Sequence, residues 1–264
     1  MKWINFFLTL ATLLTCNQVK TIDSERVAFK KPVVVQKPLD DTVKYISANS
    51  MLGVNPQFIG KSGFTDTLML GLNEALGNYN REDLYGGLKY QYYPAQKLIG
   101  ATDTTRTDGL ELVPDYTSTI AREDYYNDTL ACYPVYLVNQ TPTTKAVLQK
   151  GDHLFGIQEA MDTNGVWRPI EYKAFEYCGN GYIALKLLPQ EYIIMAFPKY
   201  QGNYKTKLRV RIKNGETIYV SQPFEGTIDK RQFYMDAYMR TFLQGDKAFR
   251  IQHQFYGAYP ADAD

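Results

Sequence analysis

From about Tyr45 onward, apolar positions in this chain recur at every second residue, in short runs bounded by Gly, Pro, Asn and Asp. That is the period of a half-buried strand, not of a helix. Leu68, Leu70 and Leu72 alternate with Thr67, Met69 and Gly71; Leu88, Tyr90 and Tyr92 alternate with Lys89, Gln91 and Tyr93. Further apolar runs cover residues 133–138, 154–160, 167–172, 183–187 and 192–197. Short strands with few helix-length patterns between them predict a mainly β fold, an antiparallel sandwich.

The clearest hairpin spans residues 205–221, with Asn214-Gly215 as its turn signal. A two-residue loop would set Val210 opposite Tyr219 and leave Ile218 and Val220 on the arginine side. A three-residue loop pairs Ile212 with Ile218 and Val210 with Val220, and burial favours it, since a one-residue slip moves every side chain across the sheet. The end of the chain reads differently. Asp229 and Gln232 form a helix-start pattern; Met235, Tyr238, Met239, Phe242 and Leu243 share a helical face, Asp236 and Arg240 stand four apart, and Gly245 can stop the helix. One helix is expected near residues 230–244. Phe249, Ile251, His253 and Phe255 then alternate with polar residues, which predicts a return to the sheet with His253 facing inward.

Lys2 and an apolar block over residues 3–14 form a basic start and a run too short to span a membrane, hence a secretory signal over residues 1–15. Leu13-Leu14-Thr15-Cys16 resembles the lipobox of bacterial lipoproteins, although that family usually carries Gly, Ala or Ser where this chain has Thr15. The resemblance implies cleavage before Cys16, acylation of that cysteine and attachment to the bacterial cell envelope, with the outer membrane placed ahead of the inner. Residues 16–44 then read as a lipid-anchored tether, within which Val33-Val34-Val35 could pair as a first strand. Residues 45–128 form a β-rich N-terminal region and 129–264 the better-defined module. Leu188-Pro189-Gln190-Glu191-Tyr192, with Gly202 and the 206–209 strand, resembles the late strands of immunoglobulin-like sandwiches, in which Tyr192 would lock the corner.

The 264 residues carry 29 Lys plus Arg against 28 Asp plus Glu, so no global field argues for nucleic acid. Once Cys16 is set aside, Cys132 and Cys178 are either bridged or two buried thiols. Gly60-Lys61-Ser62 imitates a phosphate loop but has Asn55 where the first glycine belongs, and the two histidines lack a nucleophile elbow. Glu159, Asp162, Glu171 and Glu176 surround Trp167, which reads as charged strand ends facing solvent rather than a hydrolase pair. Residues 162–165 read as a β-turn. No catalytic group, metal site or cofactor is expected.

The most specific surface feature is a ladder: Lys205, Lys207, Arg209, Arg211 and Lys213 occupy alternate positions and so share one strand face. Such a row attracts polyanions, or else guards a strand against edge pairing. Tyr90, Tyr92 and Trp167 could stack on sugar rings, and tyrosine is also an ordinary strand former. The leading expectation is a non-enzymatic, lipid-anchored envelope protein that serves as an accessory or structural subunit, contacting an envelope protein partner through a loop within residues 100–128. The alternative is a glycan- or polyanion-binding surface module.

Overall fold

The computed structural model describes residues 28–36, 53–54, 56–63, 66–70, 106–123, 129–151, 153–173 and 182–263. The signal segment, Cys16, Tyr90, Tyr92, Glu176 and Cys178 lie outside these residues, as do most of the tether and Leu72. Fifteen strands are described: β1 (Val33–Gln36), β2 (Pro56–Lys61), β3 (Thr67–Leu70), β4 (Glu111–Pro114), β5 (Ile120–Glu123), β6 (Thr129–Val138), β7 (Lys145–Lys150), β8 (His153–Leu154), β9 (Gly156–Met161), β10 (Trp167–Pro169), β11 (Tyr182–Leu187), β12 (Glu191–Pro198), β13 (Tyr204–Asn214), β14 (Thr217–Val220) and β15 (Phe224–Ile228). A 3-10 turn (Lys230–Phe233) and helices α1 (Ala237–Phe242) and α2 (Lys247–Gln254) follow.

The protein is mainly β, and every strand pair except β1–β3 is antiparallel. One sheet runs β2-β12-β6-β4, with β5 also on β6; a second runs β10-β9-β13-β14, with β15 also on β13; a third runs β11-β7-β8. The unbroken apolar runs of β6 and β12 are explained by burial on both faces. Ile193, Met195, Phe197, Val135 and Leu137 meet Val210 and Ile212 of β13 and Val147, Leu185 and Leu187 of the third sheet. On the reverse face, Tyr192, Ile194, Ala196, Tyr136 and Val138 meet Leu68 and Leu70 of β3, with Phe29 and Val34 against them. The 33–35 run is therefore a strand, laid parallel to β3. Asp115, buried after β4, fastens this cover: it accepts hydrogen bonds from Thr117 Oγ1 and Ser118 Oγ, each at 2.7 Å, and pairs with Lys31 Nζ at 2.9 Å.

The hairpin adopts neither anticipated register. Asn214 pairs with Thr217, Ile212 with Tyr219 and Arg211 with Val220, closing on Gly215 and Glu216. Gly215 takes φ +61°, as the first central residue of a type II′ turn requires. Asn214 is drawn into the structure instead of the turn: its Oδ1 accepts from Leu148 N at 2.8 Å, and its Nδ2 donates to Thr107 O and Ala146 O at 2.9 and 2.8 Å. Three backbone groups thus fix the register, and Ile218 and Val220 stand on the arginine side despite the burial argument.

Two helices replace the single expected one. The Asp229–Gln232 box caps the 3-10 turn, Asp236 caps α1 through Met239 N at 2.7 Å, and Asp246 caps α2 through Phe249 N at 3.1 Å. Asp236 also accepts from Tyr172 OH, and Arg240 reaches Asp262, so the expected Asp236–Arg240 pair is not made. Residues 249–254 are helical: Ile251 and Phe255, four apart, are buried, while Phe249 and His253 share the exposed side. Among the described residues Tyr192 OH has no hydrogen-bond partner, so none of them makes the corner bond.

Two outcomes follow. Asn214→Ala orphans Leu148 N and Ala146 O at about 1–3 kcal/mol each before relaxation, while Thr107 O keeps Tyr219 OH; its urea midpoint should fall with the slope unchanged. Burial raises the Asp115 carboxyl, but the hydrogen bonds from Ser118, Lys31 and Thr117 outweigh it and hold it down at about 2. Its folded value lies below the unfolded one, so its stabilisation is present above about pH 4 and is lost as pH falls towards 2. Acid titration of thermal stability should show that loss, and Asp115→Asn should flatten it.

Candidate functional site

The ladder lies on β13, whose alternation of exposed or half-buried lysines and arginines with buried Leu208, Val210 and Ile212 puts the five cations on one face of the second sheet. Lys205 and Lys207 are exposed; Arg209, Arg211 and Lys213 are half-buried. Antiparallel pairing sets Arg209 beside Glu159 and Arg211 beside Ile157 on β9. Glu159 is 1% exposed and holds both arginines: Arg209 Nε donates to Oε2 at 2.7 Å, and Arg211 Nε lies 3.2 Å from Oε1. Trp167, on the neighbouring strand β10, lies under the Arg209 guanidinium, with 4.2 Å from Cζ to the ring centroid.

The ladder is thus two different things. Its arginine half is neutralised in part by a buried carboxylate, with Arg209 also stacked on an indole, whereas its first two lysines project into water. Trp167, expected as a sugar platform, has one ring face taken by Arg209. The sequence expectation that Glu159 and Glu171 face solvent is overturned, because both are buried. They serve separate networks. Glu171 accepts from Gln158 N at 2.7 Å, Gln158 Nε2 at 2.9 Å and Tyr200 OH at 2.5 Å. Burial raises its carboxyl against these hydrogen bonds, which lower it. A cleft beside it is lined by Ile170, Tyr172, Gln232, Phe233, Met235 and Phe255 among others, and Glu171 is the one acid in that lining. Asp162 closes the expected turn, with Gly165 N donating to its carbonyl at 3.1 Å and Arg168 Nε to its carboxylate at 3.1 Å.

Cys132 is a buried thiol in no disulfide, with its partner in the expected bridge, Cys178, outside the described residues. Burial pushes the Cys132 thiol up to about 12. In the described part of the 100–128 segment, Thr107 O accepts from Asn214 and Tyr219, and Tyr116 stacks on Phe224 at 3.6 Å. These contacts tie the described part of the stretch to β13, β14 and β15.

Sequence reasoning missed a second surface. Every exposed aromatic residue among the described ones lies near the end of the chain: Tyr234, Tyr238, Phe249 and Tyr259. Tyr238 stacks on Phe242 at 6.4 Å, and Arg250 lies 4.4 Å over Phe242. The expectation of a strand over 249–255 hid this, since it turned Phe249 inward.

Comparison with protein-family models, with curated proteins and with solved structures returns no match.

Glu159→Gln should leave two adjacent guanidiniums facing a neutral amide. The expected cost is about 3 kcal/mol, the low end for a broken buried pair because both guanidiniums are partly wet. Chemical denaturation measures it, and a loss comparable with that of an exposed pair would show that Glu159 contributes little.

Proposed function

We propose that the chain is a non-enzymatic, lipid-anchored protein of the bacterial cell envelope, acting as an accessory or structural subunit of a protein assembly. The observation that carries this reading is the segregation of exposed aromatics to residues 234–259: Tyr238 is 62% and Phe249 58% exposed, while Met239, Ile251 and Phe255 of the same segment are buried. Large aromatics and arginine are enriched where proteins meet, and this one segment carries every exposed aromatic among the described residues. The lipid anchor rests on Cys16 and its resemblance to a lipobox. The scaffold we read as a variant immunoglobulin-like sandwich, supported by the shared core of the β12–β6 and β9–β13 sheets. In this variant Tyr192 fills core space and forms no corner bond among the described residues.

Cross-linking in the native cells followed by mass spectrometry tests the reading. A defined envelope protein should be recovered with the wild type and lost with Tyr238→Ser plus Phe249→Ser. That double variant should fold with stability within about 1 kcal/mol of wild type, because both side chains are exposed. Recovery of no protein, or of the same protein with the double variant, would overturn it.

A further inference from the structure

Arg209 and Arg211 are two residues apart on one strand, so their Cα atoms stand about 7 Å apart on the same face. Glu159 accepts a hydrogen bond from Arg209 Nε and pairs by charge with Arg211 Nε, which makes no hydrogen bond among the described residues. Among the described residues no hydrogen bond reaches the Nη groups of either arginine. Arg209, held by its Nε hydrogen bond and stacked on Trp167, keeps its Nη edge for a carboxylate in the bidentate manner, while Arg211 stands beside it by charge alone. The Arg209 half of the fork therefore has its orientation set before any ligand arrives, which lowers the ordering cost of binding. Trp167 borders it, stacked on Arg209 and half-buried, and among the described residues its indole N–H makes no hydrogen bond.

The charge count narrows the ligand. Two guanidiniums against one buried carboxylate leave a single positive charge at the fork, which one monoanion balances. Lys207 nearby faces Glu225 across the β13–β15 pair, which reduces the field further. A chain with 29 basic and 28 acidic residues has no wider basic surplus to hold a dense polyanion. We propose that Arg209, Arg211 and Trp167, oriented by Glu159, form a binding subsite for a carboxylate-bearing sugar of an acidic glycan, the carboxylate on the fork and the sugar ring beside the indole. This goes beyond the protein-contact reading and uses neither Tyr238 nor Phe249.

The test uses the chain from Cys16 onward, in which Trp167 is the sole tryptophan, or the full chain with Trp3→Phe where residues 1–15 are retained. Oligogalacturonate should change Trp167 emission saturably, a neutral galactan oligomer should not, and a single-stranded oligonucleotide of equal charge should bind more weakly. Arg209→Lys with Arg211→Lys keeps the charge and removes the fork, and should weaken oligogalacturonate binding about tenfold. Lys205→Gln with Lys207→Gln should change it less than about threefold. Should the arginine variant fail to fold, phenylglyoxal modification of the wild type replaces it: bound oligogalacturonate should slow reaction at Arg209 and Arg211. No emission change with oligogalacturonate, equal binding of the oligonucleotide, unaltered affinity of a folded Lys variant, or unprotected arginines would each overturn the proposal.

Discussion

The structure depends on two strands that have no wet face. β6 and β12 lie side by side with residues buried above and below, from Tyr192 to Phe197 on one and Val135 to Val138 on the other. Each fully buried aliphatic or aromatic side chain there contributes roughly 1.5–3 kcal/mol, but only while both sides stay covered. Covering one side requires the second and third sheets; covering the other requires the parallel β1–β3 pair, held by the Asp115–Lys31 contact and by Phe29 lying 5.3 Å from Tyr192 and 5.5 Å from Tyr136. Stability of this pair of strands is thus shared with segments distant in sequence.

Strand β9 shows how the second sheet is finished at its own margin. Its edge strand β10 ends at Pro169, and beyond it the Gln158 N–H is met by the Glu171 side chain in place of a further strand. One residue along, Glu159 points to the ladder face and binds arginines. Adjacent positions of one strand therefore lead to two buried carboxyls of opposite character: one compensated by guanidinium charge, the other by neutral donors, in a setting where burial raises its carboxyl. Sequence proximity had grouped them; the pleat separates them.

Legibility in the sequence follows the range of the forces involved. Period-two alternation depends on one face and one strand, so the β class, the 162–165 turn and the shared face of the five cations could all be read. The capping pattern at Asp229 was real, but it starts a single 3-10 turn, because Asp236 and Asp246 each begin a helix of their own. The hairpin register failed because it is set by Leu148, Thr107 and Ala146, none of which is near Asn214 in the chain. The site was half legible for the same reason: the ladder is local, whereas its counterion Glu159 is fifty residues away from Arg209.

The fate of Asn214 also bears on how the molecule ages. An asparagine followed by glycine is the sequence most prone to deamidation, a reaction in which the next backbone nitrogen attacks the side-chain amide carbon. At Asn214-Gly215 both amide atoms are held by backbone partners in a buried setting, so the geometry needed for cyclisation is denied. At Asn164-Gly165 the asparagine lies exposed in a turn. Of these two pairs, chemical wear is directed to the surface turn, where a new carboxylate is harmless to packing, and away from the joint that sets the hairpin.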